Sequence, residues 1–471
     1  MTKTAPESRV PDDDTVAELR RRFRGPILRP NDEGYDDARA IWNAMHDARP
    51  ALILRATGTA DVCAAVDFAR EGGWSPSVRG GAHGVTGHAV GENDLMIDLS
   101  LMKAVRVDAE RRVAHVQGGA TWGDFDHEAQ LYGLAVPGGA VSETGVAGLT
   151  LGGGYGWLTR KHGLTLDNLR SVDIVCADGR PRTVSESAEP DLFWAIRGGG
   201  GNFGVVTSFE FQLHPVGPTV LGGAVLWPFE KAGEVVRFYR DFGVNSPREL
   251  GINSAVVTVP DNPLFPAELH GSKVYAVFLC WNGPLDEGER VLEPLRRFAE
   301  PALDLIQPLP YTAQQQMVDQ LGSGPFGSRQ YWKTGYLDEL DDAAIDAFLA
   351  SAERATGGTQ CELNTIAGAP NEVDPESTAF TKRTGRWNHV HIQCWDDAAD
   401  DESNLADARR AGELMAPHYA DGAYVNFLDN EEAEKIRQAY DEKTWTRLRE
   451  TKTMYDPANL FRRNQNVPPI T

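Results

Sequence analysis

The chain has 471 residues, 41% hydrophobic and 24% charged, a soluble composition with room for roughly two or three domains that excludes collagen, coiled coil and intrinsic disorder. Its 46 basic and 68 acidic residues leave a net charge of −22, a field that repels phosphate backbones and anionic lipid, so neither nucleic acid nor a membrane is an expected partner. No run approaches the roughly 18 apolar residues of a membrane span, and the first residues are polar where a secretory leader would be apolar, so the expected location is cytoplasmic.

In chain order, residues 14–24 and 36–48 carry helical patterns. A β-α-β start follows: a strand over 51–55, a helix over 59–71 with Val62, Ala65 and Phe68 on its apolar face, and a strand over 77–79. Short strands are predicted at 96–98, 104–107 and 113–116, a helix at 121–131, and strands at 172–177 and 205–213. Beyond His214 the glycine clusters stop. Strands at 219–226, 252–258 and 273–281 alternate with helices at 229–242, 285–298 and 341–354, a pattern of α+β type built on an antiparallel sheet. Strands at 387–395 and 423–428 and a helix over 431–451 complete the reading.

Three glycine-rich loops stand out. Val78-Arg-Gly-Gly-Ala-His-Gly84 runs from a strand into a turn whose backbone N–H groups can approach an anion closely. His83 is its unusual member, because an anion cradle gains nothing from an imidazole unless the ring has its own task. Pro137-Gly138-Gly139, Gly145 to Gly148 and Gly152 to Gly156 leave one surface without side chains, as a flat or charged group would require. Gly199, Gly201 and Gly204 match G-x-G-x-x-G, but a strand rather than a helix follows, so the match is a weak signature for NAD. The five cysteines, Cys63, Cys176, Cys280, Cys361 and Cys394, are widely spaced without a C-x-x-C pair, and neither a disulfide framework nor a metal site is expected.

Arg79-Gly-Gly-Ala-His83-Gly, the loop from Pro137 to Gly156, Gly163-Leu-Thr-Leu-Asp167-Asn168, Asp191-Leu-Phe-Trp194 through Asn202-Phe-Gly204-Val-Val-Thr, and Tyr455-Asp-Pro-Ala-Asn459-Leu-Phe461 together resemble the berberine bridge enzyme-like FAD-linked oxidases of the vanillyl-alcohol oxidase and para-cresol methylhydroxylase superfamily. The resemblance implies a two-domain α+β fold. Residues 1–214, completed by 431–471, would bind FAD, and residues 215–430 would bind substrate under an antiparallel sheet covered by helices. It implies that His83 bonds to the flavin 8α-methyl carbon. It also implies cofactor contacts from Arg79, Gly80, Gly81, Ala82 and Gly84; from Pro137, Gly138, Gly139, Thr144, Gly145, Gly148, Gly152, Gly153, Gly154 and Gly156; and from Asp167, Asn202, Gly204, Val205, Val206 and Asn426. Relatives with a second, cysteinyl link carry it where this chain has Val141, so a single link is expected. Thr144 stands where fast O₂ reaction goes with a small apolar residue, which leaves oxidase against dehydrogenase open.

The implied reaction takes a hydride from an alcohol or amine carbon of a small molecule and passes electrons to O₂, giving H₂O₂; it needs a base for the O–H or N–H proton. The family's Tyr-x-Asn-Tyr pattern appears here as Tyr424-Val-Asn426-Phe427, which makes Tyr424 the expected base. On the strand over 387–395, His389, His391 and Gln393 share one face. Gln393 is expected to support the phenolate and His391 to lie beside it. A flavin dehydrogenase or oxidative cyclase with another acceptor, and a catalytically silent flavin-binding protein, are the alternatives.

Overall fold

The computed structural model describes residues 11–321, 324–355, 358–383, 387–429 and 435–470. Short apolar runs between turns build a first sheet from β1 (Ile27–Leu28), β2 (Leu52–Arg55), β3 (Ser77–Arg79) and β4 (Leu95–Asp98), in the order β1-β2-β4-β3. β2 and β3 both run parallel to β4. The crossover is α1 (Thr59–Gly72), which buries Val62, Ala65 and Phe68 as its periodicity requires. A second, antiparallel sheet has β5 (Val105–Asp108), β6 (Val113–Gln117), β7 (Leu169–Val175), β8 (Pro181–Ser185) and β9 (Val205–Gln212), in the order β5-β6-β9-β7-β8. Between β6 and β7 lie α2 (Trp122–Ala129), begun by a Thr121/Asp124 capping box, and α3 (Val146–Gly152).

The long strands of the third sheet are β10 (Thr219–Pro228), β11 (Leu250–Thr258), β12 (Lys273–Trp281), β13 (Arg329–Leu337), β14 (Gln360–Thr365) and β15 (Trp387–Trp395), antiparallel in the order β10-β12-β11-β14-β15-β13, with the short strands Leu303–Asp304 and Gln307–Pro310 pairing along β10. Helices α4 (Ala232–Asn245), α5 (Leu285–Arg297), α6 (Asp342–Glu353) and α7 (Asp401–Met415) cover one face. There Trp227, Tyr275, Leu363 and Trp387 share a core with Tyr239, Leu292 and Phe348. Because side chains alternate along a strand, register lays out the other face in rows. One row reads Leu226, Ala276, Ala255, Glu362, Val390, Thr334; the next reads Ala224, Phe278, Asn253, Asn364, Asn388, Tyr336. This face looks toward the first two sheets, and Gly251 of β11 lies against the Trp157 backbone.

Several expectations are corrected. Residues 36–48 form only a short helix, Tyr35–Arg39, because the chain then turns so that Asn43 donates to the carbonyls of Val85 and Gln330. Residues 423–428 are a turn, with a single helical turn at Val425–Phe427, rather than a strand. The start of the expected helix over 431–451, and the boundary at 430/431, lie outside the described residues. Its remainder divides into Lys435–Gln438 and α8 (Glu442–Tyr455), the latter capped by Asp441 accepting from Thr444 N–H. β13 and β14 were absent from the sequence reading; on β14 the inner face is polar, with Gln360, Glu362 and Asn364. No helix among the described residues is long and apolar enough to cross a membrane.

The chain beyond α8 returns across the loop before β9. Lys452 and Asp456, both with 0% side-chain exposure, pair at 2.7 Å. The Lys452 ammonium also donates to the carbonyls of Asn202 and Phe461, and the Asp456 carboxylate accepts from Leu460 and Phe461 N–H. The Asn202 amide completes the clamp, donating to the Gly199 and Gln465 carbonyls while its oxygen accepts from Val467 N–H. All three ammonium protons are used and both carboxylate oxygens accept, the condition under which such a pair is tolerated in a core. Replacing Lys452 by Met leaves Asp456 charged and unpaired; the expected loss is about 3–5 kcal/mol in equilibrium denaturation.

Candidate functional site

The glycine loops and the third sheet enclose a cavity of about 440 Å³. One wall is the backbone of Gly80, Gly81, Ala82, His83 and Gly84, followed by Gly139, Thr144, Gly145, Gly148 and Gly156, then Gly204, Val205 and Val206. Two of these loops touch: a Cβ on Gly81 would lie 2.4 Å from the Gly145 Cα, so both positions exclude side chains. The G-x-G-x-x-G segment makes one tight turn at Gly200–Asn202 and leads directly into β9, without the helix of a dinucleotide-binding unit.

His83 stacks on Trp42, with ring centroids 4.1 Å apart and 17° between planes. Its Nε2 is buried without a hydrogen-bond partner. Burial pushes the imidazole down to about 4, so the ring is neutral near pH 7. A wall of bare backbone beside an orphaned neutral imidazole nitrogen fits a flat ring system able to bond to that nitrogen. The segment held by the Lys452 clamp adds Phe461, Arg463, Asn464 and Gln465 to the cavity. Arg463 is shared with Asp94 at 2.8 Å.

Other predicted cofactor residues stand behind this wall. Arg79 donates to the Ala38 carbonyl beside Asp98. The Pro137 carbonyl accepts from Thr165 Oγ1, and Gly138 packs on Trp122. Asp167 pairs with Arg383 at 2.7 Å and caps Leu164 N–H. Asn202 belongs to the clamp. Gly152, Gly153 and Gly154 form a bed for the Tyr424–Asn426 turn, where a Cβ on Gly152 would fall 2.1 Å from Asn426 Oδ1.

Tyr424 lines the opposite side of the cavity, and its hydroxyl oxygen accepts from Gly154 N–H at 2.9 Å and Asn426 Nδ2 at 3.0 Å. Both donors favour phenolate, yet burial outweighs them and pushes the phenol up to about 12. Tyr155, Phe427 and Trp332 surround it: the Tyr424 ring lies 5.3 Å from Tyr155 and 4.8 Å from Phe427, which lies 5.2 Å from Trp332.

His391 and Gln393 do not join this group. They point to the helix-covered face of β15, where Gln393 Nε2 donates to Asn404 Oδ1 on α7, and His391 contacts Gln393 and the Cys361 thiol. The expectation that they assist Tyr424 is therefore corrected. The alternation along the strand is as expected, but which face meets the cavity is decided by the side on which α6 and α7 pack, and Ile392 takes the cavity side.

The polar group facing the cavity comes instead from β14, a strand absent from the sequence reading. Gln360, Glu362 and Asn364 all line it. Asn364 Nδ2 donates to Glu362 Oε2 at 3.0 Å and approaches the Tyr155 hydroxyl at 3.4 Å. Burial pushes the Glu362 carboxyl above the ordinary carboxylate range, against the Asn364 donation that lowers it. The available signal was the alternation Gln360-Cys361-Glu362-Leu363-Asn364, polar on one face and apolar on the other.

Comparison with known proteins meets this geometry. Residues 50–185 match a family model described as FAD binding domain, and residues 423–468 match one described as Berberine and berberine like. An FAD-linked oxidoreductase of Dictyostelium discoideum is 30% identical over 97% of both chains. The chain belongs to the berberine bridge enzyme-like FAD-linked oxidoreductases. Within this family it is also 30% identical to the (R)-6-hydroxynicotine oxidase of Paenarthrobacter nicotinovorans, over 95% of this chain and 97% of the relative. The crystal structure of 6-hydroxy-D-nicotine oxidase from Arthrobacter nicotinovorans superposes with a TM-score of 0.86 at 28% identity, covering 95% and 98% of the two chains. The glucooligosaccharide oxidase of Sarocladium strictum is 29% identical over 93% of this chain and 91% of its own. The fold is the vanillyl-alcohol oxidase type, and the chain is an FAD-dependent oxidoreductase.

Because Gly81 and Gly145 meet backbone to backbone, Gly81→Ala forces the two loops apart. The expected outcome is a loss of about 1–3 kcal/mol in thermal unfolding together with a lower flavin content, read from visible absorbance.

Proposed function

We propose that this protein is an oxidase in which FAD is joined by a single covalent link through His83, that it takes a hydride from an alcohol or amine carbon of a small molecule, and that O₂ accepts the electrons to give H₂O₂. The observation that carries the reading is the buried, neutral, partnerless Nε2 of His83 in the cavity wall. Bound FAD would supply the hydride acceptor and the relay of electrons to oxygen. In support of a single link, Val141 occupies the wall where relatives with two links carry cysteine. Relatives named for an amine-bearing heterocycle and for an oligosaccharide make both amine and alcohol carbons reasonable donors. A dehydrogenase with another acceptor is the second reading, favoured by the branched, polar Thr144 on the wall; slow reoxidation in air would select it. We assign cofactor binding to residues 1–214 with 431–471, and substrate binding to 215–430.

The base is reassigned. With its phenol near 12, Tyr424 carries about one part in 10⁵ of phenolate at neutral pH. Glu362, the carboxylate that lines the same cavity, has its pKa raised by burial, which makes it a stronger base than an ordinary carboxylate. Glu362 removes the O–H or N–H proton. Tyr424, its oxygen held by Gly154 and Asn426, keeps its own proton free to donate to the reacting oxygen or nitrogen. Tyr155, Phe427 and Trp332 exclude water around them.

Two experiments test this reading. Acid-precipitated wild type is expected to retain its flavin, with the cofactor's mass on the tryptic peptide containing His83, whereas His83→Ala releases it; a washed-out wild-type flavin overturns the link. Glu362→Gln is expected to slow flavin reduction by roughly 10² to 10⁴ and Tyr424→Phe by less. Because Glu362 acts ionised and its pKa is raised, the wild-type rate should fall as pH drops through a value above the ordinary carboxylate range. Glu362→Gln abolishes that acid limb, as pre-steady-state reduction across pH will show.

A further inference from the structure

The proposed chemistry uses only the β14 side of the third sheet, yet the cavity continues across it. One strand from Glu362 lies Ala255, then Ala276, then Leu226; beside this row Asn364 gives way to Asn253, Phe278 and Ala224. All of them line the same cavity. Polar side chains thus end at Asn253, and what lies beyond is hydrocarbon, closed over by Val257, Val259 and Phe265. Three strand spacings of about 4.8 Å separate β14 from β10, so this apolar chamber extends about 14 Å from the carboxylate. Alanine at 224, 255 and 276 keeps the floor low where larger side chains would fill it.

We infer that the substrate has one polar, oxidisable end and a bulky apolar body, the polar end at Glu362 and the apolar body over β11, β12 and β10. The inference rests on the flavin reading above and narrows its substrate class. A saccharide is the poorer fit, because hydroxyls along its length would be buried without partners past Asn253. An apolar body loses nothing there and gains with every methylene removed from water. Glu362 and Arg463 are the carboxylate and guanidinium on the wall among the described residues, and Arg463 already pairs with Asp94. An amine is therefore a head group that Glu362 can hold by hydrogen bond and relieve of its N–H proton.

The test uses the flavin-bearing protein and the n-alkylamines from butylamine to decylamine, with binding read from perturbation of the flavin spectrum. Affinity is expected to rise about threefold to fourfold per methylene until the chamber is filled. Ala276→Phe should bring the plateau to shorter chains, weakening decylamine at least tenfold while leaving butylamine unchanged. Phe278→Ala should move the plateau to longer chains, which keeps the test open should Ala276→Phe fail to fold. Affinity independent of chain length, equal effects of either variant on short and long amines, or tighter binding of cellotriose than of decylamine overturns the chamber while leaving the flavin reading intact. A preparation that contains no flavin overturns both.

Discussion

The structure depends on an absence of side chains at Gly152 and Gly153. Only there can the turn carrying Tyr424 and Asn426 settle against the backbone of the glycine loops, with Gly154 N–H and Asn426 both reaching the phenol oxygen. The contact joins residues some 270 positions apart and holds the Tyr424 side of the cavity against the glycine loops. It also goes with the irregular path of residues 423–428, which turn through Val425–Phe427 as Tyr424 and Asn426 meet the glycine backbone.

Desolvation then acts on the groups so gathered in one consistent direction. It keeps His83 neutral, Tyr424 protonated and Glu362 reluctant to ionise. A protein with a net charge of −22 thus carries a reaction chamber whose groups favour uncharged forms, and burial, rather than neighbouring charges, is the leading cause of each shift. The roles proposed for Glu362 and Tyr424 follow from their ordinary acidities, since burial raises both but starts from a carboxylic acid in one case and a phenol in the other.

The sequence made the cofactor side readable because its constraints are local. Glycines at fixed intervals, a histidine inside a glycine loop and short strands between turns can each be seen in a window of ten residues, and the β2-α1-β3 unit and the His83 loop fall where those signals put them. The substrate side was harder. β14 carries Gln360, Glu362 and Asn364 inward, so the residues that face the cavity are those that weaken its strand signal. On β15 the alternation was legible but its polarity was not: His389, His391 and Gln393 are polar residues buried under helices, where they contact Tyr419, Cys361 and Asn404, while the hydrophobic Ile392 faces the cavity. A polar face predicts solvent or a site only when nothing else can satisfy it.

The clamp made by Lys452, Asp456 and Asn202 bears on how the molecule is made. Phe461, Arg463, Asn464 and Gln465 complete the cavity that begins with Gly80, and they are held there by contacts to the loop at residues 199–204. During synthesis the histidine loop leaves the ribosome nearly four hundred residues before its enclosing wall. A chain that has not yet reached Gln465 therefore has the His83 loop without the wall that the clamp holds, and the cavity takes its full outline only when that segment docks.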